Sequence, residues 1–260
     1  MVIVACKDVI FQDIQAVFLD KDGTLADVSR YLLSLGKCQA QLMEALIPGT
    51  YPWVLQALGI SSGGLDPAGL MAVGSRQETI NGVAKVLQEQ LTENERIIDL
   101  VATTLAAAAR QHLPKASYTP LLSGVIDFLR RLRQAGLKVS MVSADAQVHL
   151  VDFVEHYQLQ NYFGHLQGVS RQYPSKVTPD FLQAVCQAID VTPHQALMIG
   201  DAATDLHVAT LTGGFIGYLG GWSPLLSPEQ IASKQVLGAL QIPSAFVTDF
   251  SQIRFLRRTF

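Results

Sequence analysis

The segment Phe18-Leu19-Asp20-Lys21-Asp22-Gly23-Thr24-Leu25 constrains this chain most. The run from Ile14 to Leu19 is nearly continuous in apolar residues, the pattern of a parallel strand covered on both faces. Asp20 therefore falls at the strand's carboxyl end, where open α/β sheets place their ligands. Asp22 follows two residues on, beside a glycine that permits a tight turn. Two carboxylates so close need a compensating cation. Mg²⁺ suits them, because it takes a few carboxylate oxygens, keeps several waters and bridges to phosphate. The arrangement points to phosphoryl-transfer chemistry.

The stretch between Asp22 and Ser143 is far longer than one crossover connection requires, so something folds there besides the sheet. Tyr31 to Ile47 carries Leu32, Leu35, Leu42, Ala45 and Leu46 at mostly three- and four-residue spacings and is stopped by Pro48-Gly49, which predicts a helix. Glu78 to Leu91 and Glu93 to His112 predict two more, the latter opened by Thr92 with Glu95 three residues on, a capping-box pattern. The Ala-rich run Ala102 to Ala109 fits a helix packed closely on another.

From Pro120 onward helices and strands alternate. Helices are expected over Val125 to Gln134, closed by Gly136, and over about Gln147 to Tyr157, Thr178 to Ile189 and Asp205 to Leu211. Strands are expected over Leu137 to Val142, Leu166 to Val169, Ala196 to Ile199 and Phe215 to Leu219. Such alternation predicts a Rossmann-like parallel sheet.

Four segments occur in the order of the haloacid dehalogenase superfamily's motifs, and the chain resembles that family. Asp20-Lys21-Asp22-Gly23-Thr24 is similar to its first motif and Ser143, after an apolar run, to its second. Lys176 before Thr178-Pro179-Asp180 is similar to the third, and Gly200-Asp201-Ala202-Ala203-Thr204-Asp205 to the acidic fourth. The resemblance implies an α/β Rossmann-like parallel sheet core, residues 1–25 and 117–260, with an inserted α-helical cap domain, residues 26–116. It also implies Asp20 as nucleophile, Asp22 as general acid and base, and Ser143 and Lys176 as phosphate-binding groups. Mg²⁺ would be held by Asp20, Asp201 and the main-chain carbonyl of Asp22.

Thr24 is expected to hold the turn. Asp205 reads either as an outer-shell group holding Lys176 or a metal-bound water, or as a first-turn helix acid. Arg76, in the loop Val73-Gly74-Ser75-Arg76, reads either as a substrate-selecting cation of the cap or as a solvated residue at a helix start. Lys21 reads as pointing into the fold or to solvent rather than as catalytic. Asp145 either adds negative charge near the phosphate site or caps the helix beginning at about Ala146. The third motif departs from many relatives, in which Lys is followed directly by Pro; here Val177 and Thr178 intervene.

The implied function is a Mg²⁺-dependent phosphomonoester hydrolase working through an aspartyl-phosphate on a small phosphorylated metabolite, similar to phosphoglycolate phosphatase. A phosphomutase is the alternative, since the motifs do not distinguish water from a sugar hydroxyl as acceptor. A non-catalytic interaction protein on the same fold predicts a broken constellation, whereas Asp20, Asp22, Ser143, Lys176 and Asp201 are all intact.

A net charge of -3 and a pI near 6.0 give no electrostatic reason to expect nucleic-acid or anionic-membrane binding. Arg254, Arg257 and Arg258 read as a solvated helix end. Three scattered cysteines without a CxxC suggest neither a disulfide framework nor a zinc site, and a reducing cytoplasm fits them. No apolar stretch reaches membrane-spanning length, and Val2 to Cys6 is too short for a signal-peptide core.

Overall fold

A computed structural model describes residues 2–66, 69–91, 96–221 and 242–257. The chain divides into two compact units, residues 28–119 and the remainder on either side of them. Three strands come first: β1 (Val2–Cys6), β2 (Val9–Ile14) and β3 (Ala16–Leu19). The apolar run at Ile14 is thus not one strand. Asp13 adopts a left-handed φ of 57°, Ile14 closes β2, and Gln15 donates its backbone N–H to Gln195 O at 2.8 Å before β3 begins.

The second unit contains α1 (Ser29–Leu46), α2 (Tyr51–Leu58), the two-residue strands β4 (Ile60–Ser61) and β5 (Gly64–Leu65), α3 (Leu70–Val73), α4 (Arg76–Gln90) and α5 (Ile97–Gln111). Helices α1, α2, α4 and α5 pack in a closed ring, each on the next. Ala40, Met43, Val54, Leu58, Val83, Leu87, Val101 and Leu105 fill its centre. Ala108, fully buried on α5, lets α5 approach α1. Gly59 ends α2 at φ 77°, a conformation that glycine adopts without a Cβ penalty. A capping box does open α4, but on Ser75 and Glu78: Ser75 Oγ accepts from Glu78 N, and Ser75 N donates to Glu78 Oε2. The box expected at Thr92 and Glu95 lies outside the described residues, and α5 runs from Ile97.

The chain then supplies α6 (Val125–Gln134), β6 (Lys138–Ala146), α7 (Gln147–His156), β7 (His165–Val169), α8 (Pro179–Ala188), β8 (Ala196–Gly200), α9 (Ala203–Ala209), β9 (Gly214–Tyr218), β10 (Ser244–Val247) and β11 (Ile253–Arg257). Six strands form one sheet in the order β10-β9-β8-β3-β6-β7. Every pairing in it is parallel, the α/β Rossmann-like core anticipated. Strand β3 lies between β6 and β8. All four of its residues are buried, which is why it reads as an unbroken apolar run. One face is closed by Phe181, Val185 and Val208, packed with Phe18, Met198 and Phe215.

A second sheet, antiparallel in the order β11-β1-β2, joins the two ends of the chain. Arg254 and Arg257 lie in β11, a strand, and not at a helix end; Arg258 lies outside the described residues. Arg131 on α6 anchors this segment by donating to Phe250 O at 2.7 Å and Ile253 O at 2.8 Å. Phe250 is stacked between Tyr218 and Phe128.

Between the two parts of the core, Leu122 N donates to Leu25 O and Asp27 N to Pro120 O, so the chain stays hydrogen-bonded to the core as far as Asp27. No helix among the described residues is long and apolar enough to cross a membrane.

Candidate active site

The sheet brings the carboxyl ends of β3, β6 and β8 side by side, and with them three of the four motif segments. Asp20 directly follows β3. It is buried, and its N–H donates to Ile199 O on β8 at 3.0 Å, which ties the start of the loop to the neighbouring strand. The loop then turns on itself: Leu25 N and Ala26 N both donate to Lys21 O, and Gly23 N donates to Ala26 O. Gly23 has φ 84°, and a Cβ placed on it would stand 2.0 Å from Asp201 Oδ2. The glycine is therefore required twice, by its backbone conformation and by the approach of the fourth-motif carboxylate.

Asp201, also buried, follows β8 and accepts a hydrogen bond from Thr24 Oγ1 at 3.3 Å. The Thr24 hydroxyl thus ties the first segment to the fourth, while the turn itself is closed by backbone hydrogen bonds. Asp205, fully buried on the first turn of α9, accepts from Ala202 N at 2.8 Å through Oδ2. Lys176 reaches in from the segment before α8. Its Nζ donates to Asp20 Oδ1 and to Asp205 Oδ1, at 2.5 Å each.

One ammonium thus faces three buried carboxylates. Oxygen atoms of Asp20, Asp201 and Asp205 lie within 4.8 Å of one another. Burial, only partly offset by Lys176, pushes Asp20 up to about 7, and the Asp205 and Asp22 charges add to the rise. Burial and the charges of Asp20 and Asp205 push Asp201 up to about 9. Burial works against the Lys176 ammonium as well, but Asp20 and Asp205 outweigh it and move its pKa upward. An all-oxygen set of carboxylates in charge excess is the donor chemistry of a hard divalent cation. Both oxygens of Asp205 are already hydrogen-bonded, one to Lys176 and one to Ala202.

Ser143 is buried within β6, which continues through it to Ala146; the strand does not end before it. The β6–β7 register shifts between Val142 and Ala146, an irregularity of the kind that re-aims side chains near sites. Ser143 Oγ accepts from Asp145 N at 3.1 Å. Asp145 accepts from Ala146 N, but no side-chain hydrogen bond caps α7; its other oxygen meets Lys21 Nζ at 3.0 Å. Lys21 points into the fold. It pairs with Asp22 Oδ1 and Asp145 Oδ2 and lies 5.4 Å from the centroid of the Phe153 ring. Nothing in the order of residues marks Lys21 and Asp145 as partners.

Arg76 belongs to the helical unit, exposed at the first position of α4 after the Ser75 cap. Val73, expected in a loop with it, ends α3.

A parallel sheet carrying two carboxylates after its central strand, a hydroxyl within the next and a lysine with further acids defines a class. A family model described as haloacid dehalogenase-like hydrolase matches residues 14–210. The chain belongs to that family. It is 29% identical over 209 residues to a phosphoglycolate phosphatase of Pseudomonas putida, an alignment covering 76% of this chain and 66% of the relative, just under two thirds of that protein. A phosphoglycolate phosphatase of Nitrosospira multiformis is 24% identical over 209 residues, covering 78% and 82% of the two chains. Among solved structures, a haloacid dehalogenase-like hydrolase from Streptococcus pneumoniae superposes with a TM-score of 0.59 at 17% identity, covering 90% of this chain and 94% of that one. That likeness shows a shared fold.

Proposed function

We propose that this chain is a Mg²⁺-dependent phosphomonoester phosphatase acting on a small phosphorylated metabolite, with 2-phosphoglycolate, named by its relatives, as the first compound to test. The observation that carries the reading is the Lys176 ammonium held between Asp20 and Asp205 beside Asp201. It gives a carboxylate nucleophile a fixed orientation and places positive charge where a phosphoryl group would lie.

Asp20, Asp201 and the main-chain carbonyl of Asp22 would hold Mg²⁺, which when bound offsets the carboxylate charge that otherwise repels a phosphate dianion. Asp205 keeps Lys176 in place and belongs to the outer shell. Asp20 attacks phosphorus and becomes an aspartyl-phosphate as the ester oxygen leaves. Asp22 protonates that oxygen and later takes a proton from the water that frees Asp20. The Ser143 hydroxyl and the Lys176 ammonium bind the phosphoryl oxygens throughout.

Residues 28–119 serve as the cap that supplies substrate contacts, with Arg76 as a cation for the non-reacting end of the substrate. The working compartment is a cytoplasm, consistent with three free cysteines, and neither nucleic acid nor membrane is a partner.

A screen of phosphorylated metabolites with Mg²⁺, following both inorganic phosphate and isomerised product, tests this reading. Phosphate release that stops with chelator is the expected result. Isomerised product without phosphate would make the chain a phosphomutase, and no turnover of any phosphomonoester would overturn both.

A further inference from the structure

A buried lysine costs desolvation, and an apolar side chain of similar volume at position 21 would avoid that cost. Lys21 is nonetheless 1% exposed, its stem enclosed and its ammonium set against the Phe153 face. Its two partners come from different strands: Asp22 from the loop after β3, Asp145 from the irregular end of β6. Asp145 is itself fixed, because its other oxygen accepts from Ala146 N at 2.9 Å. The ammonium is thus anchored from the β6 side and pairs with Asp22 Oδ1. We infer that Lys21, anchored by Asp145 and Phe153, is a positioning residue that fixes the carboxylate of Asp22 for proton transfer to and from the reacting oxygens.

The inference rests on the phosphatase reading and adds an atom-level assignment to it. An oxygen that accepts from an ammonium is a poor place for a proton, so a proton carried by Asp22 resides on Oδ2. In the first half-reaction an Asp20 oxygen bonds to phosphorus, the ester P–O bond breaks, and the Oδ2 proton passes to the leaving oxygen. In the second, water oxygen bonds to phosphorus, the aspartyl P–O bond breaks, and a water proton returns to Oδ2. Lys21 touches neither phosphorus nor the moving proton. Without it the Asp22 carboxylate loses this ion pair and the orientation the ion pair imposes, and proton delivery slows.

Leaving groups separate this role from a structural one. A p-nitrophenolate departs without a proton, whereas the alkoxide of a glycerol phosphate needs one. The full-length protein with Mg²⁺ is mixed with each ester, and aspartyl-phosphate formation is timed by rapid quench. Lys21→Met is expected to slow formation from the alkyl ester by roughly tenfold or more, and from the aryl ester by less than about threefold. Lys21→Arg should restore part of the alkyl rate. Equal slowing with both esters, or none with either, overturns the inference and leaves the phosphatase reading intact. If Lys21→Met does not fold, Asp145→Asn decides, since loosening the anchor should shift the same ratio in the same direction and an unchanged ratio overturns the proposal. A parent chain that forms no phosphoenzyme from either ester removes the phosphatase reading and this inference with it.

Discussion

Lys176 and Lys21 are both buried ammonium groups held between two aspartates, yet their surroundings differ. The side chains of Asp20 and Asp205 are 8% and 0% exposed, whereas those of Asp22 and Asp145 are 27% and 13% exposed. Around Lys176 water cannot solvate the charges, so the carboxylates depend on that one cation and on one another. Around Lys21 water shares the work and the pairing is correspondingly weaker. In the first cluster burial favours the protonated carboxylates until a further cation joins Lys176. The second can hold a group that must exchange protons with substrate and water.

The largest expected contrast lies between the two carboxylates the lysines hold. Asp20→Asn should abolish phosphoenzyme and lower kcat on the order of 10⁴-fold or more, because the proposed nucleophile is then lost. Asp22→Asn should slow turnover by about 10²- to 10⁴-fold while leaving Mg²⁺ binding largely intact, since in the proposed mechanism its side chain handles protons and its main-chain carbonyl would face the metal. Steady-state rates and Mg²⁺ titrations check both. Near-native turnover in Asp20→Asn would reassign the nucleophile and end the comparison.

The lysines themselves come next. Lys176→Met leaves three buried carboxylates without a cation and should destabilise the metal-free protein by about 3 to 5 kcal/mol near neutral pH, with a smaller loss as the carboxylates protonate in acid. Lys21→Met should cost about 1 kcal/mol. Equal losses in denaturant melts would show that the exposure of the partners does not govern the two clusters.

The pH dependence should belong to the Lys176 cluster. Asp20 and Asp201 have folded-state pKa values near 7 and 9, above the 3.8 of an ordinary aspartate. The folded state therefore binds protons more tightly than the unfolded one, and these groups favour folding at low pH. Their contribution falls as pH rises from about 4 through 9. In chelator the Tm should decline across that window. Mg²⁺ should raise it by an increment that grows with pH, because binding needs the ionised carboxylates. Asp201→Asn should raise the Tm of the metal-free protein at pH 8 while removing the Mg²⁺ response. A metal-free Tm that rises between pH 5 and 9 would contradict the assigned direction.

Arg76 lies in neither cluster, and its effect should be confined to the choice of substrate. A charge-assisted contact to the non-reacting end of the substrate is worth about 1.5 to 3 kcal/mol. Arg76→Ala should therefore lower kcat/KM for the preferred metabolite by roughly tenfold or more relative to a small aryl phosphate. An unchanged ratio would return Arg76 to the role of a solvated residue at the start of α4.

Local order carried much of the core. The helix over Val125 to Gln134 and the strands before Asp20 and Asp201 follow from apolar runs bounded by glycine or acid, since a strand buried on both faces must be apolar throughout. The interior of the insertion was less legible: α2 and the β4–β5 hairpin are short elements, and α3 is a single turn. The β11-β1-β2 sheet was not legible at all, because pairing Cys6 with Ile253 joins opposite ends of the chain and leaves no local pattern.

The sequence by itself marked Asp20 and Asp201 as following buried strands and, through the family resemblance, named Asp20, Asp22, Ser143, Lys176 and Asp201 as candidate groups of the site. Asp20 and Asp201 are marked by the strand before each and Asp22 by the glycine after it, whereas Ser143 and Lys176 are singled out by their resemblance to the family's motifs. Only the tertiary structure decided how their charges are divided: Lys176 between Asp20 and Asp205, Lys21 between Asp22 and Asp145. Partner choice among buried charges depends on which loops the sheet order β8-β3-β6 brings within a few ångströms. An ion pair between residues as far apart in the chain as Lys21 and Asp145 has no local signature, because Coulomb energy depends on distance in space and burial, and neither is a property of neighbouring residues.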